Sequence, residues 1–191
     1  RDQLATFPQT VWVSEEVLLD LADTQTPQGI VAVIQKEEVG LPDFRQGKFL
    51  FLEDVQDPGN VGTMIRTADA AGFTGVIVSD KSADIYSLKT LRSMQGSHFH
   101  LPIYRMSLAS FVEEAKKSNL PILATTLSRD SKDYRELSPL ENFALVMGNE
   151  GQGISSVMAE SADQLVHIGM KGRAESLNVA VAAGILMFYF S

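Results

Sequence analysis

The chain has 191 residues, of which 45% are hydrophobic and 21% charged, and this composition excludes a disordered chain, a collagen-like repeat and a small disulfide scaffold. It contains no cysteine, which excludes a cysteine zinc site and a thiol nucleophile and fits a reducing cytosol. The net charge of −8 argues mildly against nucleic acid, because proteins that neutralise phosphates are usually basic. The acidity is uneven, however, since residues 1–38 hold seven acids and only two bases.

The first 38 residues predict two elements and no core of their own. Ser14, followed by two glutamates and by apolar residues at helical spacing, predicts a short capped helix. Residues 29–35 (GIVAVIQ) predict a buried strand. Because two elements are too few to close a core, and because glycine and proline interrupt the pattern over residues 39–47, we predict a boundary after residue 38.

Strands and helices alternate after this boundary. Strands are predicted over residues 48–52, 75–79, 121–125, 143–147 and 165–168, and helices over residues 60–71, 87–94, 107–117 and 176–190. The alternation predicts an α/β fold with a mainly parallel sheet and helices on both faces, in which ligands sit beyond the carboxyl ends of the strands. The apolar run Val179–Phe190 has twelve residues, and a membrane span needs about 20, so we expect a buried or interface helix there.

The first polar segment that could carry chemistry follows the strand at residues 48–52. Asn60 stands after a Pro-Gly turn, where it is expected to cap the next helix, and Arg66 lies on the side of that helix away from its apolar stripe. A capped helix with a solvated arginine is the plain alternative to a functional role.

Two further segments stand at the ends of later strands. Residues 148–153 (GNEGQG) contain three glycines, but neither the dinucleotide-binding fingerprint nor the P-loop is met. Residues 168–184 are a polar loop that leads into an apolar helix, and Asn178 falls within the predicted helix. Because an unpaired asparagine among apolar residues is costly, we expect Asn178 to have a polar partner.

Taken together and in this order, the three segments resemble the signature motifs of the SpoU family, also called TrmH, of RNA ribose 2′-O-methyltransferases in the SPOUT class. The matching residues are 57–66, 147–153 and 168–184, and the resemblance covers roughly residues 39–191. It implies a C-terminal deep trefoil knot, S-adenosyl-L-methionine as cofactor, a homodimer formed through the knotted domain, and a cytoplasmic location. Residues 1–38 resemble the C-terminal end of an RNA-binding domain similar to ribosomal protein L30e.

Five positions match the family's catalytic residues without departure: Asn60, Arg66, Glu150, Ser176 and Asn178. The resemblance places Arg66 at the reacting 2′-hydroxyl. Because arginine stays protonated in proteins, we expect it to hold the adjacent phosphate and to stabilise the developing alkoxide. Asn60 would orient Arg66 or the RNA backbone, and Glu150 would fix Arg66 or its own loop. Ser176 and Asn178 would order the last loop and touch the ribose or the cofactor.

The resemblance also implies binding residues. The cofactor would be held mostly by backbone, at Thr125, Thr126, Gly148, Ile168, Met170 and Leu177. RNA phosphates would be contacted by Arg92 and Arg173, for which a solvated surface charge is the plain alternative. No metal is predicted, because a sulfonium methyl group is already electrophilic and only one histidine accompanies the pair His98 and His100.

The sequence therefore predicts an S-adenosylmethionine-dependent RNA ribose 2′-O-methyltransferase. Ribosomal RNA is favoured as substrate, because residues 1–38 resemble the domain of rRNA-directed relatives. Two alternatives stay open, namely a tRNA methyltransferase of the same family and a catalytically silent RNA-binding domain that uses the knot as a scaffold.

Overall fold

The computed structural model describes residues 9–22, 24, 26–36 and 39–191. The chain divides into two compact units, Arg1–Glu38 and Val39–Ser191. The first unit contains helix α1 (Glu15–Ala22), and the hydroxyl of Ser14 accepts a hydrogen bond from the Val17 amide at 3.4 Å. The capped helix expected at this position is therefore confirmed.

The strand expected over residues 29–35 is wrong, because the described residues 26–36 contain no strand. The apolar side chains of this stretch are exposed, and Val33 is 99% exposed. A strand needs a neighbouring strand to pair its backbone N–H and C=O groups. The described part of this unit offers helix α1 and no second strand, so the apolar pattern alone cannot form one.

The second unit is a parallel sheet with helices between its strands. Its strands are β1 (Lys48–Leu52), β2 (Gly75–Val78), β3 (Ile103–Arg105), β4 (Ile122–Thr125), β5 (Lys132–Asp133), β6 (Phe143–Met147) and β7 (Gln164–His167). Its helices are α2 (Pro58–Ala70), α3 (Leu88–Met94), α4 (Leu108–Lys117), α5 (Ser156–Ser161) and α6 (Val179–Phe190). The strand order is β3-β2-β1-β6-β4-β7-β5, and every neighbouring pair is parallel.

Helices cover both faces of this sheet, as predicted. Successive residues of a strand point to opposite faces, so Leu50 and Leu52 of β1 belong to one hydrophobic core and Phe49 and Phe51 to another. The first core includes buried residues of α2, α3 and α6, and the second includes buried residues of α4 and α5. The fold class expected from the alternation of elements is therefore confirmed.

Two helices begin two or three residues away from their predicted starts. Helix α2 starts at Pro58 and its N-cap is Asp57, whose carboxylate accepts a hydrogen bond from the Asn60 amide at 2.9 Å. Aspartate before proline is a strong helix start, so the expectation that Asn60 is the cap is wrong. Helix α6 starts at Val179 rather than at Ser176.

Helix α6 is apolar nearly all round but short. It has twelve residues, and no helix in the described ranges of the chain is both long and apolar enough to span a membrane. Five of its residues are fully or almost fully buried in the first core: Ala180, Ala183, Leu186, Met187 and Phe190.

Candidate active site

The loop after β1 and the loop after β6 are held together by hydrogen bonds. These strands are neighbours, so both loops leave the same edge of the sheet. The buried carboxylate of Glu53 accepts a bond from the Ser155 amide at 3.1 Å, and the side-chain amide of Asn149 donates to the carbonyl of Asp54 at 2.9 Å. Hydrogen bonds therefore join two loops that are far apart in sequence.

Glu150 makes the largest number of these bonds between the loops. Its Oε2 accepts from the Gln56 amide at 3.1 Å, and its Oε1 accepts from the Asp57 amide at 3.0 Å and from the Asn60 side chain at 3.1 Å. Partial burial raises the pKa of Glu150, but the bonds from Asn60 and from the backbone outweigh it, and the net pKa is lowered. The carboxylate is therefore ionised at neutral pH and acts as an acceptor only.

Asn60 connects Glu150 to the third polar segment. Its side-chain oxygen accepts a hydrogen bond from Nδ2 of Asn178 at 3.0 Å. Oδ1 of Asn178 in turn accepts from the amides of Ala180 and Val181, so Asn178 is the N-cap of α6. The polar partner expected for Asn178 is thus present, although this residue caps the helix instead of lying inside it.

The hydrogen-bonded chain Glu150–Asn60–Asn178 thus joins one residue from each of the three segments. Arg66 is not part of it, since none of the hydrogen bonds of Glu150 or Asn60 involves this residue. Arg66 is exposed on α2, six residues after Asn60, which is about 9 Å along the helix axis. Ser176 is exposed in the loop before α6. Of the two roles considered for Glu150, the structure favours fixing the loop.

The residues expected to bind the cofactor lie at one edge of three adjacent strands. Gly148 follows β6, Thr126 follows β4 and Ile168 follows β7, and these strands are neighbours in the order β6-β4-β7. Thr125 donates its hydroxyl to the carbonyl of Val146 at 2.9 Å, which ties β4 to β6 at this edge. Main-chain polar groups and half-buried apolar side chains such as Met170 together form a surface whose chemistry fits a nucleoside.

Gly148 is required by a close approach of the chain to itself. A Cβ atom at this position would collide with the backbone of Gly153 and Ile154. The same loop is closed by an antiparallel bridge between Asn149 and Gly153. Only glycine therefore allows the backbone after β6 to fold back so tightly.

The structure adds one charged contact that the sequence reasoning missed. The N-cap carboxylate of Asp57 accepts a hydrogen bond from Nζ of Lys89 at 2.7 Å, and this bond is the main cause of the lowered pKa of Asp57. The Asp-Pro dipeptide before α2 is the signal that would have identified this cap.

Of the two residues expected to contact RNA, Arg92 is exposed on α3 and Arg173 is exposed in the loop before α6.

The two histidines His98 and His100 have different surroundings in the fold. His100 contacts the carboxylate of Asp69 at 2.9 Å, whereas His98 is half-buried against Phe99. Within the residues described, no group of three histidines or carboxylates has the arrangement of a metal site.

Comparison with known families agrees with this geometry. Residues 47–188 match the model of the SpoU rRNA Methylase family, and the chain belongs to this family. That membership rests on the match to the family model, and the parallel sheet with three polar segments at its carboxyl edge agrees with it.

The chain is also similar to individual members of this family. The chain is 45% identical over 186 residues to the 23S rRNA (guanosine(2553)-2′-O)-methyltransferase RlmP of Bacillus subtilis, covering 97% of this chain and 74% of the relative. The structure of an AdoMet-bound rRNA methyltransferase from Sinorhizobium meliloti is similar with a TM-score of 0.84 and 36% identity, over 92% of this chain and 69% of that one. The TrmH/SpoU tRNA modifying enzyme of A. aeolicus has a TM-score of 0.67 and 34% identity, over 74% and 72%.

Proposed function

We propose that this protein transfers the methyl group of S-adenosylmethionine to a ribose 2′-hydroxyl of 23S rRNA. The observation that carries the proposal is the hydrogen-bonded chain Glu150–Asn60–Asn178, which joins the three segments that resemble the family's motifs. Family membership and the similarity to RlmP and to an AdoMet-bound rRNA methyltransferase support the same reaction.

The chemistry requires little beyond positioning and charge. When bound, S-adenosylmethionine would supply an electrophilic sulfonium methyl group and leave as S-adenosylhomocysteine, and the proton of the 2′-hydroxyl would pass to the adjacent phosphate or to water. Arg66 is exposed and stays charged, so it holds an RNA phosphate and stabilises negative charge on the 2′-oxygen. Glu150, Asn60 and Asn178 keep the three segments in register, which places the reacting groups.

The cofactor is held at the carboxyl edge of β6, β4 and β7. The backbone of Thr125, Thr126 and Gly148 would hold its polar parts, and Ile168 and Met170 would supply apolar surface. Leu177 and Ser176 are exposed in the loop before α6, from which they reach the cofactor or the ribose. We propose that Arg92 and Arg173 bind RNA phosphates from α3 and from this loop.

Several further features of the family are proposed for this chain. A homodimer uses α6, whose Val181, Ile185 and Phe188 are exposed apolar residues on one helical stripe. A trefoil knot is formed by the C-terminal part of the second unit, and residues 1–38 resemble the C-terminal end of an L30e-like domain. An rRNA substrate implies a cytoplasmic protein. A tRNA substrate is the second candidate, supported by the similarity to the A. aeolicus enzyme.

Radioactive methyl transfer tests the substrate. The protein is incubated with tritium-methyl S-adenosylmethionine and unmodified total RNA, which is separated into rRNA and tRNA before counting. We expect label in 23S rRNA that maps to one alkali-resistant 2′-O-methyl dinucleotide, with the guanosine named for RlmP as the first position to inspect. Label confined to tRNA would overturn the rRNA assignment, and the absence of label with intact cofactor binding would favour the silent scaffold.

Substitution of Arg66 tests the mechanism. Because its guanidinium is proposed to act only on the reacting RNA, Arg66→Ala should lower kcat by about 100- to 1,000-fold, the loss typical for one charge-stabilising group. The affinity for S-adenosylmethionine, measured by calorimetry without RNA, should stay within about twofold. An Arg66→Ala protein with undiminished methyl transfer would contradict the role given to this residue.

A further inference from the structure

Residues 132–137 form a short segment at the edge of the sheet. This segment contacts Gly169, where the loop before α6 begins, and Tyr189 in α6, which follows that loop. It consists of β5 and one turn of 3₁₀ helix, Tyr134–Glu136. Asp133 accepts two side-chain hydrogen bonds from Arg135, both at 2.7 Å, and its side chain is only 14% exposed. These bonds hold the pKa of Asp133 far below its ordinary value, so the pair stays ionic.

Gly169, which begins the loop, lies directly against this ion pair. A Cβ atom on Gly169 would stand 2.6 Å from Oδ2 of Asp133 and 3.6 Å from the Arg135 guanidinium. The backbone amide of Gly169 is also one of the causes of the lowered pKa of Asp133. The path of the chain immediately after β7 is therefore set by the position of this carboxylate.

Helix α6, which follows the loop, is attached to the same segment. The hydroxyl of Tyr189 donates to the carbonyl of Leu137 at 3.1 Å, and its ring packs edge-on against Tyr134 with centroids 4.8 Å apart. Between these two attachments the loop is open, since every residue from Lys171 to Asn178 is exposed.

We propose that Asp133 is a positioning residue for cofactor binding, which acts by holding Gly169 and so fixes Ile168 and Met170 at the carboxyl edge of β7. The inference rests on the function proposed above, in which these two residues line the cofactor site. Asp133 does not touch the reacting atoms. Its effect is on the affinity for the cofactor and not on the methyl-transfer step.

The chain contains a matched control for this ion pair. Asp43 and Arg45 have the same spacing and the same two side-chain bonds, at 2.8 and 2.6 Å, before β1. The Asp43 side chain is 55% exposed, and no glycine of the chain would place a Cβ atom against it. Loss of either pair removes similar local bonds, but only the pair at Asp133 supports the loop.

The test compares Asp133→Asn with Asp43→Asn by calorimetry with S-adenosylmethionine and by methyl-transfer kinetics. We expect Asp133→Asn to raise the Kd and the KM for S-adenosylmethionine about tenfold, as the loss of one charge-assisted hydrogen bond would. The kcat at saturating cofactor should stay within about twofold, because the reacting groups are unchanged. Asp43→Asn should match the unsubstituted protein in all three quantities.

A second pair of variants tests the contact itself. Gly169→Ala should also weaken cofactor binding, because its methyl group meets the Asp133 carboxylate. In combination with Asp133→Ala, which removes that obstacle, Gly169→Ala should cause no further loss. Cofactor affinity unchanged in both Asp133→Asn and Gly169→Ala would overturn the inference and leave the proposed function intact. An unsubstituted protein that binds no S-adenosylmethionine would overturn the proposed function and this inference with it.

Discussion

The two halves of the candidate site differ in how they are held. The loops after β1 and β6 are joined by bonds from Glu53, Asn149 and Glu150, so this half is formed before any ligand arrives. The loop that precedes α6 is exposed from Lys171 to Asn178, and Asn178, at its end, is tied to the first half by its hydrogen bond to Asn60. One half is therefore fixed by hydrogen bonds between loops, whereas the other is a solvent-exposed loop fixed near its two ends.

Loss of the Glu150 carboxylate should have the largest effect on activity among the changes in these two halves. It would remove bonds between the loops after β1 and β6, so that this half would be held as loosely as the loop before α6. Glu150→Gln places an amide N–H₂ group against backbone donors and loses at least one of three bonds. Since displacement of reacting groups by about 1 Å costs about 100-fold, we expect kcat/KM to fall by about that factor. Methyl-transfer kinetics with saturating cofactor measure it, and activity within threefold of the unsubstituted protein would contradict the assigned role.

The pH dependence of unfolding provides a second measurement on the same variant. The pKa of Glu150 is lowered in the folded protein, so its contribution to stability is complete above the unfolded pKa of about 4.3 and is lost as the pH falls through the folded value. The difference in unfolding free energy between the unsubstituted protein and Glu150→Gln should therefore be constant from pH 7 to about 5 and shrink in more acidic solution.

Gly148→Ala should have an intermediate effect that appears in stability. The added methyl group meets the backbone of Gly153 and Ile154, which cannot move away as a side chain would. We expect the free energy of unfolding in urea to fall by about 1–3 kcal/mol, the usual cost of overpacking. Gly151→Ala is the control, because the nearest atom to its Cβ would be Oδ1 of Asn149 at 3.7 Å, an ordinary contact. An equal loss of unfolding free energy in both variants would show that the close approach of Gly148 to Gly153 and Ile154 is not the cause of the loss.

Ser176→Ala should have the smallest effect. It tests the contribution of the exposed loop before α6. The residue is exposed in the loop, so the free energy of unfolding should change by less than about 0.5 kcal/mol. If Ser176 touches the ribose or the cofactor, kcat/KM should nevertheless fall about fivefold, as expected for one neutral hydrogen bond. Thermal unfolding and kinetics on the same preparation separate the two quantities, and unchanged kinetics would exclude that contact.

Periodic apolar patterns predicted most helices and strands of the second unit correctly. The strands are buried between two layers of helices, so they appear in the sequence as continuous apolar runs. Strand β1 is an unbroken apolar run after Lys48, and α4 lies within the predicted range, with its cap Ser107 accepting a hydrogen bond from the Ser110 amide. The prediction of Asn60 as the α2 cap overlooked the Asp57-Pro58 dipeptide, which favours Asp57 because proline is preferred at the first position of a helix.

Other features lay beyond the reach of local patterns. Strand β5 has two polar residues and exists only because β7 pairs with it. Residues 29–35 have the pattern of a strand and no neighbouring strand in the described residues. The family resemblance named Asn60, Glu150 and Asn178, but their mutual hydrogen bonds depend on tertiary contacts that spacing along the chain does not encode.

The hydrogen bonds between these three residues also bear on how the protein folds. Asn60 is 90 residues from Glu150 and 118 residues from Asn178, so each bond closes a very long loop. Contacts of such high sequence separation form late and slow the folding of a domain. During synthesis no nascent chain can complete the network before Asn178 has been added. The centre proposed to modify ribosomal RNA therefore takes shape only after Asn178 has been translated, at least 118 residues after Asn60.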